Sequence, residues 1–492
     1  MQLTARTTHA TTHADEGVTP HWWHDRALLA LLALFVVCAP LVTSRIYASD
    51  EIQYFAYTRS LFFDRDFDFG NEYLHFYQSD RVKFRDIYED LYLKREPLTG
   101  RPINVAPIGT GLLWLPMYAL AHLGVLAANA FGAGIPADGY SQPYITAICL
   151  TSYLYGCAGL LLCFLLARRL FGSRLSAVVV ATVWFATPVI FYTVIAPPWS
   201  HATSLLTVTL FIWYWLKTRR PEGRRLTEWG LLGVLAGLMM LVREQDALFM
   251  VIPAIEALWD LAQRISSRPL RPFAMRALWP ILSGWARGLF VMVVFAAVTF
   301  TPQLIAYKEV TGRFGPSQIV AGKFTWTAPN FLNVLFNPEH GMIPWTPLVA
   351  VALLGLPALW KHDRLLTTAL GVALLLQVYI AGSFLTWQAA GSFGQRRFIN
   401  STSIFVLGLA ALAAWLLARG WPRWLLGGLA ALFVAWNVGL LMQYALWCSP
   451  QRQGLDWSIV LRGQLEMPAK VLQMAWDYLT NRHKFYRSTR QC

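Results

Sequence analysis

An adjacent carboxylate pair, Asp50-Glu51, follows the first apolar stretch of the chain, and Asp64, Asp66, Asp68 and Glu72 come close behind. A carboxylate at a protein–membrane boundary suits proton abstraction from a hydroxyl that is attacking an electrophilic carbon. Partial desolvation raises its pKa towards usefulness, while a nearby cation keeps it ionised. The same spacing also describes a solvated helix start, with Ser49 or Asp50 as cap and Glu51 in the first turn. Spacing alone leaves both readings open. Tyr54, one turn beyond the pair, is a candidate acceptor contact or auxiliary group.

The run Asp64-Arg-Asp-Phe-Asp-Phe-Gly70 resembles the front of a calcium loop. Such a loop needs Gly at its sixth position and Glu at its twelfth. Phe69 and His75 stand there instead, so a turn that caps a helix is the simpler reading. No cofactor is assigned, and a divalent metal in this acidic stretch stays open.

Cations form the second constellation: Arg243, Arg313, Lys323 and the pair Arg396-Arg397 all fall in connectors on the same side as the acids. Arginine grips phosphate with a planar fork and stabilises a leaving anion, so the group fits a phosphate-bearing ligand. Each can instead pair locally, as Arg243 with Glu244 or Asp246. His201 and His340 sit at the ends of connectors and are candidate proton carriers or acceptor contacts, or hydrogen-bonded loop histidines. Hydrolase-type Ser/His/Asp order, phosphate-binding P-loops and GxGxxG fingerprints are absent from the sequence.

The elements that must position these residues are hydrophobic. Of the 492 residues 56% are hydrophobic and 14% charged, with mean hydropathy +0.43. Ordinary soluble domains carry roughly 25% charged residues. Apolar runs of spanning length recur, and 22 Trp and 19 Tyr suit aromatic belts at two interfaces. The predicted fold is an all-α polytopic membrane protein of about 11 spans, with 12 or 13 left open: 27–44, 142–167, 175–196, 200–216, 226–242, 247–262, 288–307, 345–360, 365–383, 399–418 and 424–446. The net charge of +14 does not signal nucleic acid, because seventeen Lys/Arg gather in the connectors 168–174, 217–225, 264–287, 361–364 and 419–423. By the positive-inside rule these are cytoplasmic.

That parity places the long segment 45–141 outside, together with the loop 308–344. The apolar stretch 105–131 then lies along the interface instead of crossing, which Pro107 and Pro116 favour. A crossing would move the acids into the cytoplasm. Residues 1–25 are expected as a disordered cytoplasmic tail, 26–446 as the membrane domain, and 447–492 as a tail with an amphipathic helix over Gln464–Leu479. The side on which the chain ends stays open. Cys38, Cys149, Cys157 and Cys163 fall in apolar helices and read as packing residues, while Cys448 and Cys492 are candidates for a pair on an oxidising side.

With these residues in place, the chain resembles the GT-C superfamily of polyprenyl-phosphate-sugar-dependent glycosyltransferases, in particular the protein O-mannosyltransferases and the lipid A aminoarabinose transferases. The resemblance is carried by the first span followed by Ser49-Asp50-Glu51 and by Asp64–Glu72. It is carried further by Asn104–Trp114, in the place of the family's Lys-Pro-Pro segment, and by Leu241–Asp246 after the fifth helix. It implies a bacterial inner-membrane, multi-pass glycosyltransferase with its active site facing the periplasm or cell exterior. The donor would be a polyprenyl-phosphate sugar and the acceptor a lipid, glycan or protein hydroxyl, among membrane lipids and without nucleic acid. Asp50 would be the base, Glu51 its positioning partner, and the outer cations the donor-phosphate ligands. The family's Lys has no counterpart, since Asn104 and Val105 stand there. Arg101 is the candidate substitute, beside Arg243 and Arg396/Arg397. Two rival readings remain: an O-antigen ligase-like or polymerase-like enzyme built on Arg313, Lys323 and His340, and a lipid-linked-sugar transporter.

Overall fold

The computed structural model describes residues 24–78, 87–266, 274–389, 391–446 and 454–480. The proposed Cys448–Cys492 pair and nearly all of the N-terminal tail lie outside them. The described chain is helical, with two isolated bridges as its extended pairings. It is an integral, polytopic membrane protein: six of its helices are long and apolar enough to cross a bilayer, and shorter apolar helices accompany them.

Each predicted span is matched by a helix. They are α1 (Arg26–Cys38), α5 (Gln142–Phe171), α6 (Ser173–Ala186), α7 (Ser200–Thr218), α8 (Leu226–Val242), α9 (Val251–Ser266) and α10 (Ala274–Thr311), then α14 and α15 (Pro347–Leu354 and Leu356–His362), α16 (Arg364–Ser383), α17 (Thr402–Ala418) and α18 (Arg423–Ala445). Between α1 and α5 stand α2 (Ser49–Arg59), α3 (Gly70–Gln78) and α4 (Gly109–Ala130). The late loop holds the short helices α11 (Gln318–Ala321), α12 (Phe331–Phe336) and α13 (Met342–Trp345). The tail helix α19 spans Trp457–Thr480, longer than the predicted Gln464–Leu479, and Gln464 Nε2 ties it to Trp436 O of α18 at 2.9 Å.

The ends of these helices follow from charge and backbone chemistry. Asp25 caps α1 by accepting from Ala27 N and Leu28 N at 3.1 and 3.2 Å. Arg168 and Arg169 occupy the last turn of α5, where the carbonyl end of the dipole favours cations. Asp25 also accepts from Ser173 Oγ at 2.7 Å and pairs with Arg168 at 3.1 Å. Arg219 pairs with Asp363, and Phe171 meets His362 edge-on. These contacts draw the start of α1 and the connectors 168–174, 217–225 and 361–364 to one end of the molecule. Deep in the bundle, α8 and α10 pack closely because Gly233 presents bare backbone to Met292, where a Cβ would clash. Cys38, Cys149, Cys157 and Cys163 are buried packing residues, as expected.

Helix α4 has the length and composition of a span, yet its neighbours keep it beside the first half of α5. Tyr155 Oη donates to Leu113 O at 2.7 Å, Tyr118 Oη donates to Gly139 O at 2.8 Å, and His122 Nδ1 meets Tyr144 Oη at 2.7 Å. It therefore runs antiparallel to α5 and away from the basic connectors. Its first residue, Gly109, lies directly on the Leu241–Val242 backbone at the end of α8, an approach that a Cβ would block.

Candidate functional site

Helix α2 is fixed by the residue next to the candidate base. The predicted caps Ser49 and Asp50 are not used: Ala48 is the N-cap residue. Glu51, in the first turn, reaches back, and its Oε2 accepts from Tyr47 N at 2.8 Å and Ala48 N at 3.0 Å. Its Oε1 accepts from Trp199 Nε1 at 2.7 Å. Glu51 is fully buried, and burial pushes its carboxyl up to about 7 against the pull of these three donors. It holds the loop before α2 and the 197–199 turn together and so anchors α2.

Asp50 points elsewhere. Its Oδ2 lies 2.9 Å from Arg396 Nη1, and its side chain keeps 35% of its surface exposed, against 18% for Arg396. The contact is an ion pair without hydrogen-bond alignment, since Arg396 Nη1 has no hydrogen-bond partner. The Arg396 guanidinium stacks 4.1 Å above the Trp199 ring. One indole thus braces Glu51 through its edge and Arg396 through its face. That leaves Asp50 paired with Arg396 and open on one side.

Arg243 sits on the other flank. It does not pair with Glu244 or Asp246, the partners that spacing suggested. Its Nη1 donates to His201 Nδ1 at 2.7 Å and reaches Ser200 Oγ at 3.4 Å, and its Nη2 donates to Gln245 Oε1 at 3.0 Å. Because arginine has no acceptor, His201 receives this bond and carries its proton on Nε2. Tyr54 Oη donates to the same Ser200 Oγ at 2.8 Å, so α2 and Arg243 meet on one hydroxyl. Asp50, Tyr54, His201, Arg243 and Arg396 therefore converge from α2, the start of α7, the end of α8 and the segment before α17.

A buried polar net fixes the arginine-bearing connectors. Asp246 is fully buried and accepts from Ser204 Oγ at 2.6 Å and Asn400 Nδ2 at 2.8 Å. Burial holds its carboxyl up at about 6. Asn400 also donates to Gln377 Oε1 at 3.1 Å, and Gln377 Nε2 donates to Gln245 O at 3.1 Å. Gln245 Nε2 in turn reaches Arg397 O at 3.2 Å. Arg397 donates to Trp387 O and Thr386 O at 2.9 and 3.0 Å, which holds the loop of its own connector and leaves Arg396 to face Asp50. Ser200, Gln245, Gln377 and Asn400 were not selected from sequence. The signal for Gln377 is present in the sequence: it is an amide inside an otherwise apolar run, where polar groups are costly and need partners.

Other sequence candidates are placed outside this cluster. Arg101 pairs with Glu309 at 3.1 Å. Arg313 and Lys323 are exposed, and among the described residues no hydrogen bond or ion pair ties either to the cluster. His340 is buried, its Nε2 lies 3.2 Å from Ser392 O, and Gln395 Nε2 donates to His340 O at 2.9 Å. Burial drives its imidazole down to about 4, so it is neutral at physiological pH and props the segment carrying Arg396. The segment in the family's Lys-Pro-Pro position is pinned onto α2: Asn104 Nδ2 donates to Gln53 O at 3.1 Å and Val105 N to Gln53 Oε1 at 2.7 Å.

The acidic run is structural. Arg59 pairs with Asp64 and, at 2.8 Å, with buried Glu72. Asp66 Oδ1 accepts from Ser60 Oγ at 2.7 Å, and Asp68 Oδ1 accepts from Gly70 N at 3.0 Å at the start of α3. Among the described residues no group of three His, Cys, Asp or Glu side chains is arranged to hold a metal ion.

Residues 142–285 match the family model described as dolichyl-phosphate-mannose-protein mannosyltransferase. Over that segment the chain is similar to the family that the sequence resemblance named, and the segment contributes His201 and Arg243 to the cluster and Asp246 to the buried net beside it. No curated protein matches the sequence. Among solved structures, the chain is similar to that of ArnT from Cupriavidus metallidurans bound to undecaprenyl phosphate, with 16% identity over 86% of this chain and 70% of the other and a TM-score of 0.47. A likeness at that level carries no functional argument.

Proposed function

We propose that the protein is a GT-C-type membrane glycosyltransferase that moves a sugar from a polyprenyl-phosphate donor to a hydroxyl acceptor with inversion, at the outer face of a bacterial inner membrane. The observation that carries this reading is the Asp50–Arg396 pair at 2.9 Å, partly exposed to its surroundings and flanked by Arg243 and His201. The family match over 142–285 supports the reaction class. The location of the cluster supports the sidedness: it lies at the helix ends opposite the basic connectors, which the positive-inside rule puts in the cytoplasm.

The acceptor hydroxyl attacks the anomeric carbon, and its proton passes to Asp50 Oδ as the new C–O bond forms. The bond from the anomeric carbon to the phosphate oxygen breaks on the opposite face, and the polyprenyl phosphate leaves with both electrons. Arg396 and Arg243 stabilise its charge. Without donor, Arg396 neutralises Asp50. A donor phosphate competes for that guanidinium and loosens its hold on the Asp50 carboxylate as the substrate arrives. Tyr54 and His201 contact the acceptor or keep Ser200 and Arg243 in place.

The test is transfer by purified protein supplied with a polyprenyl-phosphate sugar. Wild-type-like turnover by Asp50→Asn removes the mechanism. Activity that ignores Asp50 but is lost in Arg313→Ala or His340→Ala supports the late-loop ligase reading.

A further inference from the structure

At the end of the bundle away from Asp50, the 219–225 connector and helices α8, α9 and α10 line an open cavity of about 660 Å³. Six arginines line it, Arg219, Arg220, Arg224, Arg225, Arg264 and Arg287, against three carboxylates, Glu222, Glu256 and Asp260. Most of these cations are already committed. Arg219 pairs with Asp363, Arg220 with Glu228 at 2.6 Å, Arg224 with Glu256 at 2.7 Å and Arg264 with Asp260 at 2.8 Å. Arg224 is nearly fully buried, so its pair is part of the wall. Arg225 and Arg287 differ: among the described residues neither guanidinium has a hydrogen-bond or ion-pair partner. Both line the cavity and both are exposed.

What lies next to Arg287 indicates what the cavity holds. On α10, Arg287, Phe290, Val294 and Val298 recur at intervals of three and four residues and share one face. Phe290 and Val298 are 68% and 65% exposed, so this stripe is open to the hydrocarbon. Below it the cavity has indole walls from Trp229, Trp259 and Trp285, and Trp285 Nε1 is held by Asp260 Oδ2 at 3.0 Å. Indoles with arginines mark the headgroup level of a bilayer.

We infer that this cavity is a binding site for an anionic phospholipid. Its phosphate diester sits between Arg225 and Arg287, and an acyl chain lies along the Phe290–Val294–Val298 stripe. Basic pockets between helices at the cytoplasmic interface take anionic headgroups through this combination of charge and adjoining apolar track. A soluble phosphate would use the two arginines and leave the stripe idle. The inference does not rest on the transfer reading, because no residue of the Asp50 cluster takes part in it.

The experiment is native mass spectrometry of the full chain in detergent, titrated in parallel with phosphatidylglycerol, phosphatidylcholine of the same chain length, and inorganic phosphate. The expected result is retention of phosphatidylglycerol about tenfold or more above phosphatidylcholine, lost in the double variant Arg225→Gln/Arg287→Gln. Equal retention of the two lipids by the wild type, or an unchanged preference in the double variant, overturns the proposal. Displacement of phosphatidylglycerol by an equal concentration of inorganic phosphate also overturns it, in favour of a soluble phosphate ligand. Should the double variant lose its thermal transition, Arg287→Lys serves in its place: it keeps the charge and is expected to keep the preference, and loss of the preference in a folded Arg287→Lys protein counts against a charge-based site.

Discussion

Trp199 donates its indole N–H to Glu51 Oε1 at 2.7 Å across 148 residues of sequence. The same ring carries the Arg396 guanidinium on its face at 4.1 Å. Helix α2 and the arginine facing it are therefore braced by a single side chain. Asp50, one residue before Glu51, inherits its position from this contact without taking part in it. The acidic pair thus divides its contacts: Glu51 anchors the helix and Asp50 faces Arg396.

Asp50→Asn keeps the shape of the site and removes the proton acceptor. The expected outcome is a fall in kcat of about 10²- to 10⁴-fold with little change in donor KM. Initial rates of sugar transfer by protein reconstituted in vesicles check it. A loss confined to KM would make Asp50 a binding residue.

Arg396→Lys keeps one positive charge but loses the planar fork and the stacking on Trp199. Arg243→Ala removes the cation that His201 and Gln245 hold in place. Both changes are expected to lower kcat/KM by about ten- to a hundredfold, through weaker hold on the phosphate as it leaves. Donor-dependence curves for the two variants test this, and wild-type values in both would remove the phosphate role.

Glu51 governs stability against pH. Its folded pKa is raised to about 7 from 4.5, so the folded state holds this proton where the unfolded chain has released it. The neutral form's advantage is fully present below about pH 4.5, declines as pH rises to 7, and is gone above. A shift of that size corresponds to roughly 3 kcal/mol. Glu51→Gln has no such titration. The Tm of the wild type minus that of the variant is therefore expected to rise when the pH is lowered from 8 to 5. Thermal unfolding in detergent at both pH values measures it, and a difference that stays flat or falls contradicts the burial of this carboxyl.

Asn400→Leu strips Asp246 of one donor and removes one of the two donors to Gln377 Oε1, leaving Gln245 Nε2. A cost of about 1–3 kcal/mol follows from leaving buried polar groups unpaired. The net also positions Gln245, which holds Arg243, so the donor KM is expected to rise along with the fall in Tm. A lowered Tm with unchanged KM would reduce the net to packing.

Much of this protein was legible in its residues alone. Hydrocarbon thickness sets span length and the cost of moving charge across it sets where Lys and Arg fall, so the all-α, polytopic character and the basic connectors are legible directly. The carboxylate pair stood out for the same reason, as charge beside an apolar run. Tertiary structure alone decided which member of the pair is free, because a cap bond to Ala48 and a bond to Trp199 depend on chain segments far apart in sequence. It also decided which cations assemble. Arg243 and Arg396 meet because two connectors abut through buried amides, while Arg101, Arg313 and Lys323 carry the same charge and stay out of the cluster. Sequence fixes how many charges a connector carries, but a partner across space is set by the packing of the helices between them.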